Sequence, residues 1–430
     1  MKNSLFITIL AAGALLSACS GSGSAAVDAK AQEQAEIDRQ VDSVLATMSV
    51  TEKVAQLFVI EVDNQQSKAR IAEQDSLMRL GAGSLILMRG QIANFVNRAN
   101  ELQAQCKIPL IESTDAEWGA AMRYSEYLSY PRQVKLGAIK EGAEDLLFRM
   151  GQNVGTELKD LGIYINLAPV ADMNVDNQPN HRDSRSFGSD METVAKLSTA
   201  YMKGMMDAGI YACGKHYPGD CKNTQDAHYS VPVVTISRDS IEKVDLKPFQ
   251  MMIDNGLDLM MIGHKVIPSI DTTRLPMSIS PVCIRELLQE QQGFKGVVIT
   301  DALGMEGVAN GRTPRQVNML AYKAGVEMLL MAHDEIGSIH AIADSVKCGS
   351  FPEADLDARV RKVLTLKARA GFFKKGFDPI VTDLDSKIKA ARQRDSLLIE
   401  EMNAAIKASD PTVIINDNAP DPTRALKDRG

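Results

Sequence analysis

Eight short apolar runs, separated by longer segments with helical periodicity, constrain the fold of this 430-residue chain most strongly. The runs are apolar throughout rather than alternating, which is typical of parallel strands covered on both faces. They lie at Leu57–Val62, Gly83–Met88, Pro109–Ser113, Tyr164–Pro169, Tyr211–Gly214, Leu257–Ile262, Gly296–Thr300 and Val326–Met331. Eight β-then-α units over roughly 300 residues predict a (β/α)8 (TIM) barrel of the α/β class. A doubly wound open sheet is the alternative, because periodicity alone cannot separate the two folds.

The helical segments around these runs define the predicted domain limits. Helices are predicted at 32–50, Ala143–Leu161, Asp190–Ala208, Ser240–Asn255 and Pro281–Gln291. After about Gly376 the pattern changes to one long charged helix, Asp383–Ala408, and a single further strand, Thr412–Asn416. We therefore predict a barrel domain over 36–376 and a short C-terminal helical extension over 377–430, which is too small for a second domain.

Polar and titratable side chains follow six of the apolar runs, always on the C-terminal side. They include Asp115 after the third run, Asp172 and Arg185 after the fourth, Lys215 and His216 after the fifth, His264 after the sixth, Asp301 after the seventh and His333 after the eighth. Barrel enzymes build their active sites at the carboxyl ends of their strands. The sequence therefore predicts an active site at that face.

The motifs Lys215–Gly219 and Asp226–His228 together place a cation, two imidazoles and a carboxylate within 14 residues. Gathering charged and titratable groups at the end of a strand costs free energy, and such clusters are typical of functional sites. Asp226 and His228 can meet across a tight turn, where the carboxylate would fix the imidazole tautomer and raise its pKa. Such a histidine could protonate a leaving group. A surface loop with an incidental salt bridge is the alternative.

The remaining candidates point to carbohydrate chemistry. Asp301, at the end of a predicted strand, could attack an anomeric carbon, although aspartate is also favoured as a helix N-cap. Lys215 and His216 could hydrogen-bond sugar hydroxyls, whereas a phosphate site or a rim lysine is the alternative. Asp115, Arg123 and Arg185 complete the polar set. Arg185 could instead form a structural ion pair with Asp172 or Asp183.

These motifs together resemble the bacterial β-N-acetylglucosaminidases of glycoside hydrolase family 3, over roughly residues 40–375. The resemblance is carried by Asp115–Gly119, Arg185–Gly188, Lys215–Gly219, Asp226–His228, His264 with Leu275–Ser280, and Gly293–Phe294 with Thr300–Leu303. Six matches in the same order are far more specific than any one of them.

The resemblance implies a retaining β-glycosidase that releases terminal N-acetylhexosamine from a glycan and needs no metal or organic cofactor. Asp301 would be the nucleophile, and His228, partnered by Asp226, would be the general acid/base. Substrate would be held by Asp115, Arg123, Arg185, Lys215, His216 and His264, with Trp118 stacked on a sugar face. Transfer to phosphate and the β-glucosidase activity of the same family are the enzymatic alternatives.

The chain departs from the family pattern at two places. Asp220–Asn223 stand where the family usually has His-Gly-Asp-Thr, and Trp118 and Ala120 stand where it usually has glycines. The altered loop leaves a third alternative open, a glycan-binding lipoprotein whose catalytic site has decayed.

The N-terminus predicts export and lipidation. Lys2 precedes a short apolar core, Leu5–Leu16, and Leu16-Ser17-Ala18-Cys19 resembles a lipobox, with an ordinary signal peptide as the alternative. We predict a signal peptide over 1–19, lipid on Cys19 and a flexible tether over 20–35. The protein would be a monomer in the cell envelope, periplasmic or at the cell surface, with the lipid as its only contact with a membrane. With a net charge of −7, no nucleic-acid partner is expected.

Overall fold

The computed structural model of the chain describes residues 21–63, 66–174, 185–219 and 231–411, with side chains from residue 29 onward. Several predicted features lie outside these residues. They are Cys19, the altered loop Asp220–Asn223, the Asp226–His228 pair and the strand Thr412–Asn416.

Eight parallel strands form the centre of the molecule, in the order β7-β6-β5-β4-β3-β2-β1-β8. The strands are β1 (Phe58–Val62), β2 (Ser84–Leu87), β3 (Ile111–Thr114), β4 (Ile163–Asn166), β5 (Tyr211–Tyr217), β6 (Leu259–Ile262), β7 (Val297–Thr300) and β8 (Leu329–Leu330). A parallel bridge between Ile299 and Met328 joins β7 to the segment before β8. This bridge brings the two edges together, so the barrel predicted from eight apolar runs is confirmed and the open sheet is wrong.

Strand β8 is shorter than predicted because a carboxylate interrupts its pairing with β7. The backbone N–H groups of Glu327 and Met328 both donate to the Val298 carbonyl, at 2.9 and 3.0 Å. The buried Glu327 side chain accepts the Val298 N–H at 2.7 Å and pairs with Lys362 at 2.8 Å. A side chain thus takes a place in the ladder that backbone would otherwise occupy.

The helices alternate with the strands and cover the barrel. They are α1 (Gly21–Leu45), α2 (Val50–Ala55), α3 (Lys68–Leu80), α4 (Ile92–Gln103), α5 (Gln133–Leu136), α6 (Ala143–Asp160), α7 (Met191–Asp207), α8 (Arg238–Ser240), α9 (Lys247–Asp254), α10 (Glu306–Ala309), α11 (Pro314–Ala324), α12 (Glu335–Lys347), α13 (Glu353–Arg369) and α14 (Leu384–Ser409). Segments Ile241–Asp245 and Val282–Gln291 are π-helical, within two of the predicted helices. Reciprocal capping boxes at Ser49/Glu52 and Thr313/Gln316 fix the starts of α2 and α11.

Helix α1 begins at Gly21, inside the segment predicted to be a flexible tether. Alanine, glutamate, glutamine and lysine dominate from residue 25 to residue 36, and these are among the strongest helix formers. Their propensity extends the predicted amphipathic helix towards the N-terminus. The later part of α1 packs on α13, where Ile37, Val41 and Leu45 are buried.

The C-terminal helix α14 packs against α6 on the outside of the barrel. Its buried side chains include Ala391, Asp395, Leu398, Met402 and Ile406. No helix in the described part of the chain is long and apolar enough to cross a membrane.

Truncation of a buried methionine tests the packing of α14. Met402 is fully buried, whereas Leu397 on the same helix is 70% exposed. We expect Met402→Ala to lower the free energy of unfolding by about 2–5 kcal/mol, because it leaves a cavity. Leu397→Ala should change it by less than about 0.5 kcal/mol. Urea denaturation measures both, and equal effects would contradict this packing.

Candidate active site

A carboxylate and two cations meet where β3 and β5 end. Asp115 follows β3, and its Oδ1 accepts a hydrogen bond from Lys215 Nζ at 2.7 Å. Arg123 pairs with the other carboxylate oxygen of Asp115. Burial alone would raise the pKa of Asp115, but the neighbouring Lys215 and Arg123 charges lower it well below its usual value. The Asp115 side chain keeps 15% of its surface exposed, so the fixed, ionised carboxylate can still reach a ligand.

Glu117 connects this cluster to Arg185. Its side chain is fully buried, accepts two hydrogen bonds from Arg185 at 2.9 and 2.6 Å, and lies 2.8 Å from Lys215 Nζ. Burial opposes its charge, yet the Arg185 and Lys215 charges lower the pKa of Glu117 to about 2. Arg185 therefore pairs with Glu117 rather than with Asp172, which was an alternative from the sequence.

Asp172, which follows β4, holds the imidazole of His216. Its Oδ2 lies 2.6 Å from His216 Nδ1 and accepts the His216 backbone N–H at 3.2 Å. Burial by itself would raise the pKa of Asp172, but the Lys265 and His216 charges lower it well below its usual value. The carboxylate orients the ring and leaves Nε2 as the ring nitrogen available to a substrate. This role of Asp172 could not be predicted from the sequence, although its place after β4 was a signal.

Asp301 lies directly after β7, where its Oδ1 accepts the Ala302 N–H at 2.8 Å. Burial opposes the charge on Asp301, but His216, His264 and this N–H lower its pKa below the usual value. The carboxylate is therefore ionised and available as a nucleophile at neutral pH. The helix-cap alternative is wrong, because the next helix, α10, is preceded by Met305.

His264 and Trp118 were predicted to contact substrate, but in the structure both side chains are buried against protein groups. His264 is 1% exposed; its Nδ1 is 2.7 Å from Ser278 Oγ and its Nε2 is 2.9 Å from the Ala302 carbonyl. His264 therefore holds the backbone beside Asp301 rather than a sugar. Trp118 is 3% exposed, and the Arg132 guanidinium carbon lies 3.4 Å from its ring centroid. This structure leaves the ring little surface for stacking on a sugar.

The predicted acid/base pair, Asp226 and His228, lies outside the described residues, beyond the end of β5 at Tyr217. Lys265 Nζ donates to the Gly219 carbonyl at 2.9 Å, which fixes the backbone just before that segment. Among the residues that the structure describes, no three His, Cys, Asp or Glu side chains are grouped so that they could hold a metal ion.

The site thus combines an ionised, partly buried carboxylate with cations and an oriented imidazole, all at the carboxyl ends of parallel strands. Such groups can hold hydroxyl-rich molecules and can carry out nucleophilic displacement. These features define a barrel enzyme that acts on a polar substrate.

Comparison with known proteins identifies the family. Residues 49–366 match the N-terminal domain of glycosyl hydrolase family 3, and the chain belongs to that family. A β-hexosaminidase of Neisseria meningitidis is 32% identical over 271 residues, which are 61% of this chain and 74% of the relative. A β-hexosaminidase of Nitrosospira multiformis is 30% identical over 284 residues, 64% of this chain and 80% of the relative.

A solved structure supports the same assignment. The family 3 β-N-acetylglucosaminidase of a Paenibacillus species superposes with a TM-score of 0.72 at 27% sequence identity. The superposition covers 84% of this chain and 69% of that chain. The family suggested by six ordered motifs is therefore confirmed.

Glutamine substitution at two buried carboxylates of one segment tests the charge network. Glu117→Gln removes the anion between Lys215 and Arg185, which leaves the buried Lys215 with Asp115 as its remaining carboxylate and takes the bidentate partner from Arg185. We expect the free energy of unfolding at pH 7 to fall by about 3–5 kcal/mol. Urea denaturation measures this change.

Glu112, on β3, is the matched control. Burial raises its pKa to about 8, so it is protonated at neutral pH. A raised folded-state pKa contributes stability that is lost as the pH rises towards 8. Glu112→Gln should therefore not destabilise the protein. The free energy of unfolding of this variant, relative to that of the wild type, should increase between about pH 4.5 and pH 8. Similar losses in the two variants would contradict the charge network.

Proposed function

We propose that this family 3 glycosidase is a retaining exo-β-N-acetylhexosaminidase. It would release terminal β-linked N-acetylhexosamine through a glycosyl-enzyme intermediate. The observation that carries the proposal is the ionised Asp301 carboxylate at the end of β7, next to the oriented His216 and the network around Asp115. The names of the curated relatives and of the Paenibacillus structure support the N-acetylhexosamine substrate.

In the first step Asp301 attacks the anomeric carbon and the bond to the leaving oxygen breaks. The electron pair of that bond stays on the oxygen, which receives the proton of His228. In the second step His228 removes a proton from water, the water oxygen attacks the anomeric carbon, and the ester to Asp301 breaks. Two displacements on the same carbon retain its configuration.

The network around Asp115 supplies the hydrogen bonds that hold the sugar. Asp115 can accept from two hydroxyls, while Lys215, Arg123 and Arg185 donate. Because Lys215 and Glu117 are almost completely buried and paired, their positions are set before substrate arrives. Preorganised charges of this kind cost no reorganisation during the reaction.

We further propose that the chain is lipidated on Cys19 and acts as a monomer in the cell envelope. The lipobox-like sequence Leu16–Cys19 supports this location. A lipid-anchored enzyme there would meet peptidoglycan fragments or other glycans containing N-acetylglucosamine.

Replacement of Asp301 by asparagine tests the nucleophile. Asp301→Asn keeps the side-chain shape but removes the attacking charge, so kcat for an aryl β-N-acetylglucosaminide should fall at least about 10³-fold. The control is Asp334→Asn, an exposed carboxylate after β8 that pairs with Arg315. Asp334→Asn should keep nearly full activity. Full activity in the Asp301 variant would refute the assignment.

Proton NMR of the first sugar product, recorded before mutarotation, tests the stereochemistry. The β-anomer is expected, and the α-anomer would contradict a double displacement. The same assay in phosphate buffer separates hydrolysis from transfer, because phosphorolysis would give the sugar 1-phosphate. Tight binding of the glycan without turnover would instead indicate a decayed site.

Metabolic labelling with an alkyne fatty acid in a bacterial host tests lipidation. The wild-type chain should carry the label and partition with membranes, whereas Cys19→Ser should lose both properties. Cys106→Ser is the matched control, because it removes a different thiol and should keep the label. Retention of the label in the Cys19 variant would contradict the anchor.

A further inference from the structure

The segment that carries Asp115, Glu117 and Arg123 rests on a buried carboxylate of helix α6. Glu157 is fully buried, and its Oε2 accepts the Ala120 N–H at 2.9 Å. Gly119 has φ +93°, and a Cβ there would lie 2.9 Å from a ring carbon of Tyr130 and 3.5 Å from Glu157 Oε2. The segment therefore lies closely over Glu157. Its point of attachment, Ala120, is three residues from both Glu117 and Arg123.

Helix α14 brings a second carboxylate into the same buried cluster. Asp395 is fully buried, and its Oδ1 accepts hydrogen bonds from Tyr130 Oη at 2.9 Å and Arg394 Nε at 3.0 Å. Asn153 of α6 donates to Tyr130 Oη at 3.1 Å. Tyr130 and Arg394 thus both donate to one oxygen of Asp395, while Asn153 holds the Tyr130 hydroxyl in place.

Each carboxylate in this cluster has one oxygen that lacks a hydrogen-bond donor in the described part of the chain. The two atoms are Glu157 Oε1 and Asp395 Oδ2, and both are buried. Two adjacent buried carboxylates cannot both ionise cheaply. Burial first, and then the Asp395 carboxylate, raise the pKa of Glu157 well above its usual value. A proton on Glu157 would therefore satisfy both groups.

We propose that Glu157 and Asp395 share one proton, and that this pair makes α14 a positioning element of the active site. The pair holds segment 115–123 through the Ala120 peptide. The effect of the pair on turnover rests on the proposed function. The effect of the pair on how well segment 115–123 is ordered does not.

The shared proton predicts a pH dependence of definite sign. The other titratable or charged groups that face Glu157 are Tyr127, Tyr130, Tyr201 and Arg394, in addition to Asp395. Because the pKa of Glu157 is raised, the stabilisation is complete at acidic pH and is lost as the pH rises through its folded-state pKa. Glu157→Gln would replace the shared proton with an amide N–H that cannot titrate, while its oxygen still accepts from Ala120.

Four variants test the proposal: Glu157→Gln, Glu157→Ala, Asp395→Ala and the matched control Met402→Ala. The first readout is KM and kcat on an aryl β-N-acetylglucosaminide across pH. The second is hydrogen–deuterium exchange of segment 116–123, which does not require activity.

We expect Asp395→Ala and Glu157→Ala to raise KM about tenfold or more and to speed exchange in the segment. Met402→Ala, on the same helix, should lower stability but change neither readout. Glu157→Gln should keep the wild-type KM at acidic pH and should lack the rise in KM and in exchange that the wild type shows at alkaline pH.

Each outcome decides the proposal. Equal changes in KM and exchange for Asp395→Ala and Met402→Ala would show that α14 contributes only stability. Glu157→Gln behaving like Glu157→Ala would rule out the shared proton. This comparison of the two Glu157 variants still tests the proposal when Asp395→Ala does not fold. A wild-type protein without turnover would overturn the proposed function, while the exchange data would still test the pair.

Discussion

The contact between Lys215 and Glu117 is the interaction on which the Asp115 end of the candidate site depends. Lys215 is 2% exposed and Glu117 is fully buried, so each needs opposite charges beside it: Asp115 also pairs with Lys215, and Arg185 also pairs with Glu117. Through this pair the ends of β3 and β5 are fixed relative to each other. Asp115 and Arg185 then attach to the same two groups, one on each side. The site is thus a chain of alternating charges that is complete before any substrate arrives.

Much of the fold could be predicted because parallel strands buried on both faces leave a continuous apolar signature. All eight strands lie where the runs predicted them, and β8 alone is much shorter, since Glu327 interrupts it. The clustering of Asp115, Lys215, His216 and Asp301 could also be predicted, because the carboxyl ends of parallel strands share one face.

Other parts of the site could not be predicted because they depend on which way a side chain points. Asp115 and Glu117 are two residues apart, and nothing in the sequence reveals that one keeps exposed surface while the other is buried between two cations. His264 follows a strand as a ligand residue would, yet both of its ring nitrogens contact protein atoms. Asp395 is 265 residues from Tyr130 in the chain, so only the packed structure relates α14 to the active site.

Helix α1 changes what an anchor on Cys19 would do to the barrel. A flexible tether of the 16 residues at 21–36 would have an r.m.s. length of about 22 Å and would allow any orientation. The same residues as helix span about 24 Å, so the reach is almost unchanged. The direction, however, is fixed, because the helix continues into the part that packs on α13, where Asp42 pairs with Arg361. An anchor on Cys19 would therefore lie near the end of a helical spacer that keeps one direction relative to the barrel.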